Sequence, residues 1–424
     1  MTWGEAHEAT RKLLGRGCYS CDDLALGCDW LLSAHKKNNF RQVEYLRVSE
    51  LIYHMILAII SICTLVKLRM TGIKIGHFFV AVDFQKDAYG FRSFHIREQI
   101  SPDETANILY SLSPLDSLKK ILLRRNQVYI RSLEVAYLLV TSPASFSRQS
   151  NSESDWFKGK LKSLKKIRKL NRYILKILNI KKMIFLDHTK RIAPMALACR
   201  DAGVERLAYM HGGFGHFRPG LGHLKFDRYL VWSDFFADKL VEYRVQERNS
   251  IIIGGRNLKP SGGDRAMSKK GKNCLILVDV NEGWEYLGSH TETLRCNGWT
   301  LFLRGKPGIG VKRPKEGLFN EDDNTVPLLD SLINNQISVM VSMGSLALYE
   351  SWSVNVPSLF VLSGDDWHID IVEDGLLPSC RADGDISKEI NVLYEMPESE
   401  IAVVRQKIWD GQHSNWPAAW LGKG

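Results

Sequence analysis

Most apolar runs in this chain are continuous rather than alternating. In the first half they are KIGHFFVAVDF (74–84), VAYLLVTS (135–142), KMIFLDH (182–188), RLAYMHG (206–212), RYLVWSD (228–234) and SIIIGG (250–255). A strand that is apolar on both faces suits a parallel sheet covered by helices, because only there are both faces dry. Stretches of helical length separate the runs, so this half reads as α/β. A second series follows with NCLILVDV (273–280), WTLFLRG (299–305), ISVMVSMG (337–344) and PSLFVLSG (357–364). Residues 256–272 between the series carry a proline, three glycines and many charges, which predicts a linker. The expected fold is α/β, with two Rossmann-like domains facing a cleft. The expected divisions are an N-terminal helical region (1–71), a first domain (72–255), the linker (256–272) and a second domain (273–424).

Two helices stand out by pattern. LIYHMILAIISICTLV (51–66) is apolar between Glu50 and Lys67. It is shorter than the roughly 20 residues a spanning helix needs and it contains Tyr53 and His54, so a buried or interfacial helix is expected and no transmembrane segment. WFKGKLKSLKKIRKLNRYILKIL (156–178) places Leu161, Leu164, Ile167, Ile174 and Leu178 along one side and cations over the rest. Such a helix either lies on anionic lipid or packs on a core with its basic face in water.

Length and composition narrow the class. At 424 residues the chain exceeds what one core usually organises, and 45% hydrophobic with 25% charged residues favours neither disorder nor a multi-span membrane protein. The net charge of +10 is uneven, with eleven Lys or Arg and no acid from Lys158 to Lys182. Aromatic stacking residues are scarce in that segment and no nucleic-acid motif is present, so nucleic acid is not an expected partner. Eight cysteines without a secretory pattern fit a reducing, cytoplasmic compartment. Cys18, Cys21 and Cys28 precede His35 and together make four possible zinc ligands, but one C-x-x-C pair with irregular spacing reads better as thiols on a short helix. No metal and no cofactor is expected.

Chemistry should gather in the loops after the strands, where ligands bind in sheets of this kind. In VMVSMGSLALYE, a buried strand runs into Ser342, Gly344 and Ser345, and a helix starting near Leu346 carries Glu350. Small residues at such a turn let N–H groups and hydroxyls approach a phosphate, and Glu350 can accept hydrogen bonds from sugar hydroxyls. The plainer alternative is a capped helix with an exposed Glu. Arg304 and Lys306 follow another strand, where two cations would neutralise a nucleotide leaving group; the alternative is a solvated basic turn. In the first half, Asp187 and His188 end one strand and His211 ends the next. A histidine there suits general-base work or phosphate contact, and a carboxylate can deprotonate an acceptor hydroxyl. Gly212 and Gly213, followed by Gly215, would keep side chains out of the space where substrate meets His211.

Taken in order, GIKIG (72–76), LDHT (186–189), RDAGVERLAYMHGG (200–213), FDRYLVWSD (226–234), IIIGG (251–255) and the S-x-G-S-x-x-x-x-E turn (342–350) resemble bacterial capsule and lipopolysaccharide glycosyltransferases of GT-B type. The resemblance spans roughly residues 72–365. It implies an acceptor domain at 72–255 and a nucleotide-donor domain at 273–424. It also implies transfer of a sugar from a nucleotide-sugar donor to a growing glycan or lipid-linked glycan, while peripheral contact with anionic membrane at the cytoplasmic face rests on the basic helix at 156–178. His211 matches the family's histidine-glycine pair, and Ser342, Ser345 and Glu350 match its donor turn. The chain departs from the family in carrying His77 after GIKIG and Arg304-Gly305-Lys306-Pro307 in place of a lysine-proline-histidine-proline-like element. Alternatives are a CDP-glycerol-type polyol-phosphate transferase, a sugar-nucleotide 2-epimerase, and a non-catalytic assembly protein that binds sugar nucleotides.

Overall fold

The computed structural model describes residues 3–15, 20–35, 48–70, 77–81, 105–109, 127–141, 153–186, 192–210, 224–242, 244–254, 271–278, 287–288, 290–305, 317–343, 345, 347–362, 375–409 and 416–422. The first-half strands are β1 (His77–Ala81), β2 (Thr105–Leu109), β3 (Gln127–Val128), β4 (Lys182–Leu186), β5 (Glu205–Tyr209), β6 (Arg228–Val231) and β7 (Ile251–Ile253). They form one sheet in the order β3-β2-β1-β4-β5-β6-β7 with every pairing parallel. The second-half strands are β8 (Asn273–Val278), β9 (Thr300–Gly305), β10 (Asn320–Glu321), β11 (Val339–Ser342), β12 (Ser358–Leu362) and β13 (Ser379–Arg381). Their order is β10-β9-β8-β11-β12-β13, again all parallel. Both sheets are doubly wound. Each has one place where the strand order reverses, between β1 and β4 and between β8 and β11.

One expected strand is a helix. Its residues 135–141, VAYLLVT, lie within the helix Ile130–Thr141. Leu133, Val135 and Leu138 are buried, whereas Val140 is 82% exposed. A short unbroken apolar run suits a buried strand and a buried helix equally, and here packing against the helix Val48–Met70 settles it. The expected linker, 256–272, falls almost wholly outside the described residues.

The N-terminal helices pack on the first sheet's helical layer. Helix Cys21–His35 lies against helix Ala193–Ala202, whose first N–H, that of Ala193, donates to the Asp29 carboxylate at 2.9 Å. A carboxylate is favourable at that position because unpaired N–H groups and the helix dipole converge on it. Gly203 ends the same helix in the left-handed region at φ 69°, which glycine adopts without strain. Cys28 is buried beside the Thr10 hydroxyl, and burial pushes its thiol up to about 11. The apolar run at 51–66 extends to a 23-residue helix, Val48–Met70. From Leu51 to Met70 it is long and apolar enough to cross a membrane by length and composition, so the sixteen-residue run underestimates it.

The end of the chain returns to the first half. Helix Trp416–Leu421 covers one face of the first sheet, where Trp420 and Leu421 cluster with Ile184, Leu207, Tyr209 and Leu230. By packing, this segment of the expected second domain belongs with the first. Helix Glu398–Trp409 packs against helix Asp234–Glu242 of the first half, and Trp409 stacks on Trp232 with ring centroids 4.9 Å apart.

Candidate functional site

The turn after β11 sits at the order reversal of the second sheet. Ser342 closes β11 and is fully buried. Its hydroxyl accepts the Ser345 N–H at 3.2 Å, and the Ser345 hydroxyl accepts the Ala347 N–H at 3.2 Å. The serines therefore build the turn and cap the short helix Ala347–Trp352. Glu350 is half-buried on that helix, while Leu348, Tyr349, Ser351 and Trp352 face the core. Trp352 Nε1 donates to the Ser358 hydroxyl at 2.8 Å, and that hydroxyl donates to the Leu348 carbonyl at 2.8 Å. Gly344 lies outside the described residues.

Arg304 is placed at the carboxyl end of β9 as expected, but its guanidinium faces inward. Nη1 donates to the Asp322 carboxylate at 2.7 Å and to the Asp323 carbonyl at 3.1 Å, and Nη2 donates to the Val326 carbonyl at 2.6 Å. Asp322 also accepts from the Ser331 hydroxyl at 2.6 Å and from Asn335 Nδ2 at 2.8 Å. The Arg304 and Asp322 side chains are 10% and 3% exposed, so this is a buried, bonded ion pair. The cation expected to face a phosphate instead spends its charge on a carboxylate. Beside it, the Thr325 N–H and hydroxyl hold the Asp323 carboxyl below the usual range. No sequence signal pairs Arg304 with Asp322. Lys306 lies outside the described residues.

In the first sheet, β4 and β5 are parallel neighbours with Leu186 in register with Tyr209. Asp187 and His188 follow β4 in sequence, and His211 follows β5 after Met210. These three residues, with Gly212 and Gly213, lie outside the described residues, so only the strands that deliver them are fixed. Cys18 of the zinc reading also falls outside them. Among the described residues no group of His, Cys, Asp or Glu could hold a metal ion. Residues 279–286 follow β8 at the order reversal of the second sheet. That segment is likewise outside the described residues.

The carboxyl edges of the two sheets approach one another. Trp232, immediately after β6, has its ring 5.8 Å from Tyr349 of the helix after β11, and Phe236 lies 6.2 Å from the same ring. Trp409 Nε1 donates to the Tyr349 carbonyl at 3.0 Å. The aromatic cluster thus joins the halves on the side where their strands end, beside the helix that carries Glu350.

No protein-family model matches the chain, and no curated protein matches it by sequence. Solved structures do. A glycotransferase of kitacinnamycin has a TM-score of 0.52 at 10% identity, over 82% of this chain and 98% of that one. UDP-GlcNAc 2-epimerase from Neisseria meningitidis bound to UDP-GlcNAc has a TM-score of 0.51 at 12% identity, over 82% of this chain and all of that one (100%). The calicheamicin glycosyltransferase CalG4 has a TM-score of 0.50 at 12% identity, over 82% and 98%. The expected fold class is the observed one. The chain has the GT-B fold, with two parallel α/β domains whose strand ends approach each other.

Proposed function

We propose that this protein transfers a sugar from a nucleotide-sugar donor to a growing surface glycan, free or lipid-linked. The observation that carries the reading is topological. The Ser342–Ser345 turn follows a strand at the order reversal of one sheet, and Asp187 and His188 follow a strand at the order reversal of the other. Crevices beyond such points are where doubly wound sheets bind ligands. The epimerase of the same fold binds UDP-GlcNAc, which supports a nucleotide sugar as the ligand class. In this reading the turn seats the donor phosphates, Glu350 accepts from donor hydroxyls, and His211 takes the acceptor proton with Asp187 or His188 beside it. Gly212 and Gly213 leave room for the substrate to pass against their backbone. Lys306 is the remaining edge cation, since Arg304 is paired internally. The protein would work at the inner face of a membrane, with the exposed lysines of helix Glu153–Ile177 towards anionic lipid.

A thermal-shift screen of UDP, GDP, CMP and CDP compounds tests the ligand class, because a ligand bound only by the folded state must raise the melting temperature. A shift with UDP- or GDP-sugars is expected. A shift with CDP-glycerol alone would move the assignment to polyol-phosphate transfer. With the donor known, His211→Ala is expected to lower turnover by about 10²-fold or more while leaving the melting temperature unchanged. Normal turnover in that variant would pass the base role to Asp187 or His188. Donor binding without turnover by the wild type on any glycan acceptor would favour an assembly protein.

A further inference from the structure

Helix Val48–Met70 carries apolar residues on its exposed side as well as on its buried one. One side is bonded to the first domain: His54 Nδ1 is 3.0 Å from the Ser132 hydroxyl, the Tyr129 N–H donates to the Ser61 hydroxyl at 2.9 Å, and Leu57, Ala58 and Leu68 are buried. From Ile52 to Met70 the opposite side is exposed and, Lys67 and Arg69 apart, apolar. Ile52, Ile56, Ile59, Ile62, Val66 and Met70 lie at helical spacing on that side, with Met70 81% exposed. No charged residue interrupts the stripe before Lys67. Water strongly disfavours so long a contiguous apolar surface.

We infer that this stripe is an interfacial membrane anchor, lying in the plane of an anionic lipid surface with its apolar side among the acyl chains. The occupant follows from charge and attachment. Lys67 and Arg69 stand in the helix's last turn. Helix Ile130–Thr141 packs between this helix and helix Glu153–Ile177, whose Lys166 Nζ donates to the Thr141 carbonyl at 2.6 Å. Helix Glu153–Ile177 presents Lys158, Lys162, Lys169, Arg172 and Lys176 to solvent, with exposed Tyr173 and Ile177 at its end. An apolar stripe close to a dense cationic face matches an anionic bilayer, which rewards both. The helix lies in the plane rather than across it because its inner side is bonded to Ser132 and Tyr129, at the edge of the sheet through β3. A spanning helix would have to leave those partners. The inference goes beyond the transferase reading, because it names the element that enters lipid, and its test uses no donor.

The test places an environment-sensitive fluorophore on Cys63, which is exposed on the helix. The full chain is used, with Cys18→Ser, Cys21→Ser, Cys296→Ser and Cys380→Ser. With vesicles of phosphatidylglycerol and phosphatidylethanolamine, the emission is expected to shift to the blue and to be quenched best by lipids carrying shallow quenchers. Ile59→Gln with Ile62→Gln is expected to weaken vesicle partitioning about tenfold or more while leaving circular dichroism and melting unchanged, since both side chains are exposed. The remaining binding should then be abolished by salt, whereas salt alone should leave part of the wild-type binding in place. Salt-sensitive binding with a wet Cys63 would overturn the anchor and leave the basic face as the lipid contact. Best quenching from the bilayer centre would overturn the in-plane placement. A blue shift without vesicles that grows with protein concentration would assign the stripe to a second copy of the chain.

Discussion

Arg304 and Glu350 stand at the same carboxyl edge and should respond to mutation in opposite ways. Arg304 is tied to Asp322 in a nearly dry site, and taking one partner from such a pair leaves a buried charge without compensation. Asp322→Ala should therefore cost about 3–5 kcal/mol in urea unfolding, because Ser331 and Asn335 lose their acceptor as well. Arg304→Ala should lower the melting temperature while the folded protein keeps its donor affinity. A normal melting temperature with weakened donor binding would return Arg304 to the phosphate. Glu350→Ala should do the reverse. Its neighbours Tyr349 and Trp352 hold the helix, so stability should be nearly unchanged while donor affinity in calorimetry falls. Unchanged affinity would remove Glu350 from the site.

At the scale of elements, helix Glu153–Ile177 shows what a pattern does and does not reveal. Its apolar side is legible: Leu161, Ile167 and Ile174 are buried, and Leu164 and Leu178 pack at the margin. The fate of its cations is not. Arg168 donates to both Asp201 oxygens at 2.6 and 2.7 Å and to Asp22 at 2.8 Å, and Lys165 pairs with Asp23 at 2.6 Å. Periodicity tells which side of a helix a residue leaves from, but not that a carboxylate far off in sequence waits there. The same limit hid β10 and β13, short edge strands whose exposed positions carry no apolar run. Strands β5, β6, β8, β11 and β12 were legible because burial on both faces writes an unbroken run, whereas the interior strand β2 lay in none of the runs. At the site, the loops could be found from strand ends, yet Arg304's inward turn needed Asp322. The ion pairs also predict a pH response. Burial alone would raise the Asp22 carboxyl, but hydrogen bonds from Arg200 and Arg168 outweigh it and hold the group below its ordinary 3.8. A carboxyl lowered by folding contributes stability above its unfolded value and loses it as pH falls through the folded value. The melting-temperature difference between wild type and Asp22→Asn should thus be full near neutral pH and vanish once pH drops below the folded value. A difference independent of pH would mean that shape, not charge, holds this helix.

For the whole molecule, the question is what makes two doubly wound halves one protein, and the C-terminal segment supplies much of the answer. Trp420 is fully buried on the first sheet and donates from Nε1 to the Ala208 carbonyl at 3.0 Å. Gly254 makes room for the same helix, because a Cβ there would sit 2.6 Å from the Trp416 ring. Arg228 donates to the Ala419 carbonyl at 2.9 Å and the Trp420 carbonyl at 3.2 Å, and Lys182 to that of Leu421. Cations thus meet the helix end where unpaired carbonyls collect. The segment reaches this seat from the second half, past Trp409, whose ring stacks on Trp232 at 4.9 Å. Ending the chain at residue 415 should uncover Tyr209 and Leu230 and lower hydrogen-exchange protection in β4, β5 and β6, while β8 and β11, which the segment does not touch, keep theirs. Trp409→Ala acts at the junction instead. Losing a buried Trp should cost about 3–5 kcal/mol and split one melting transition into two, because the halves no longer share an aromatic core. If the truncated chain lost protection evenly through both sheets, the segment would be a general stabiliser. If Trp409→Ala kept a single transition, the coupling of the halves would rest on Tyr349 and Phe236 beside Trp232, and their truncation would then be the change that separates them.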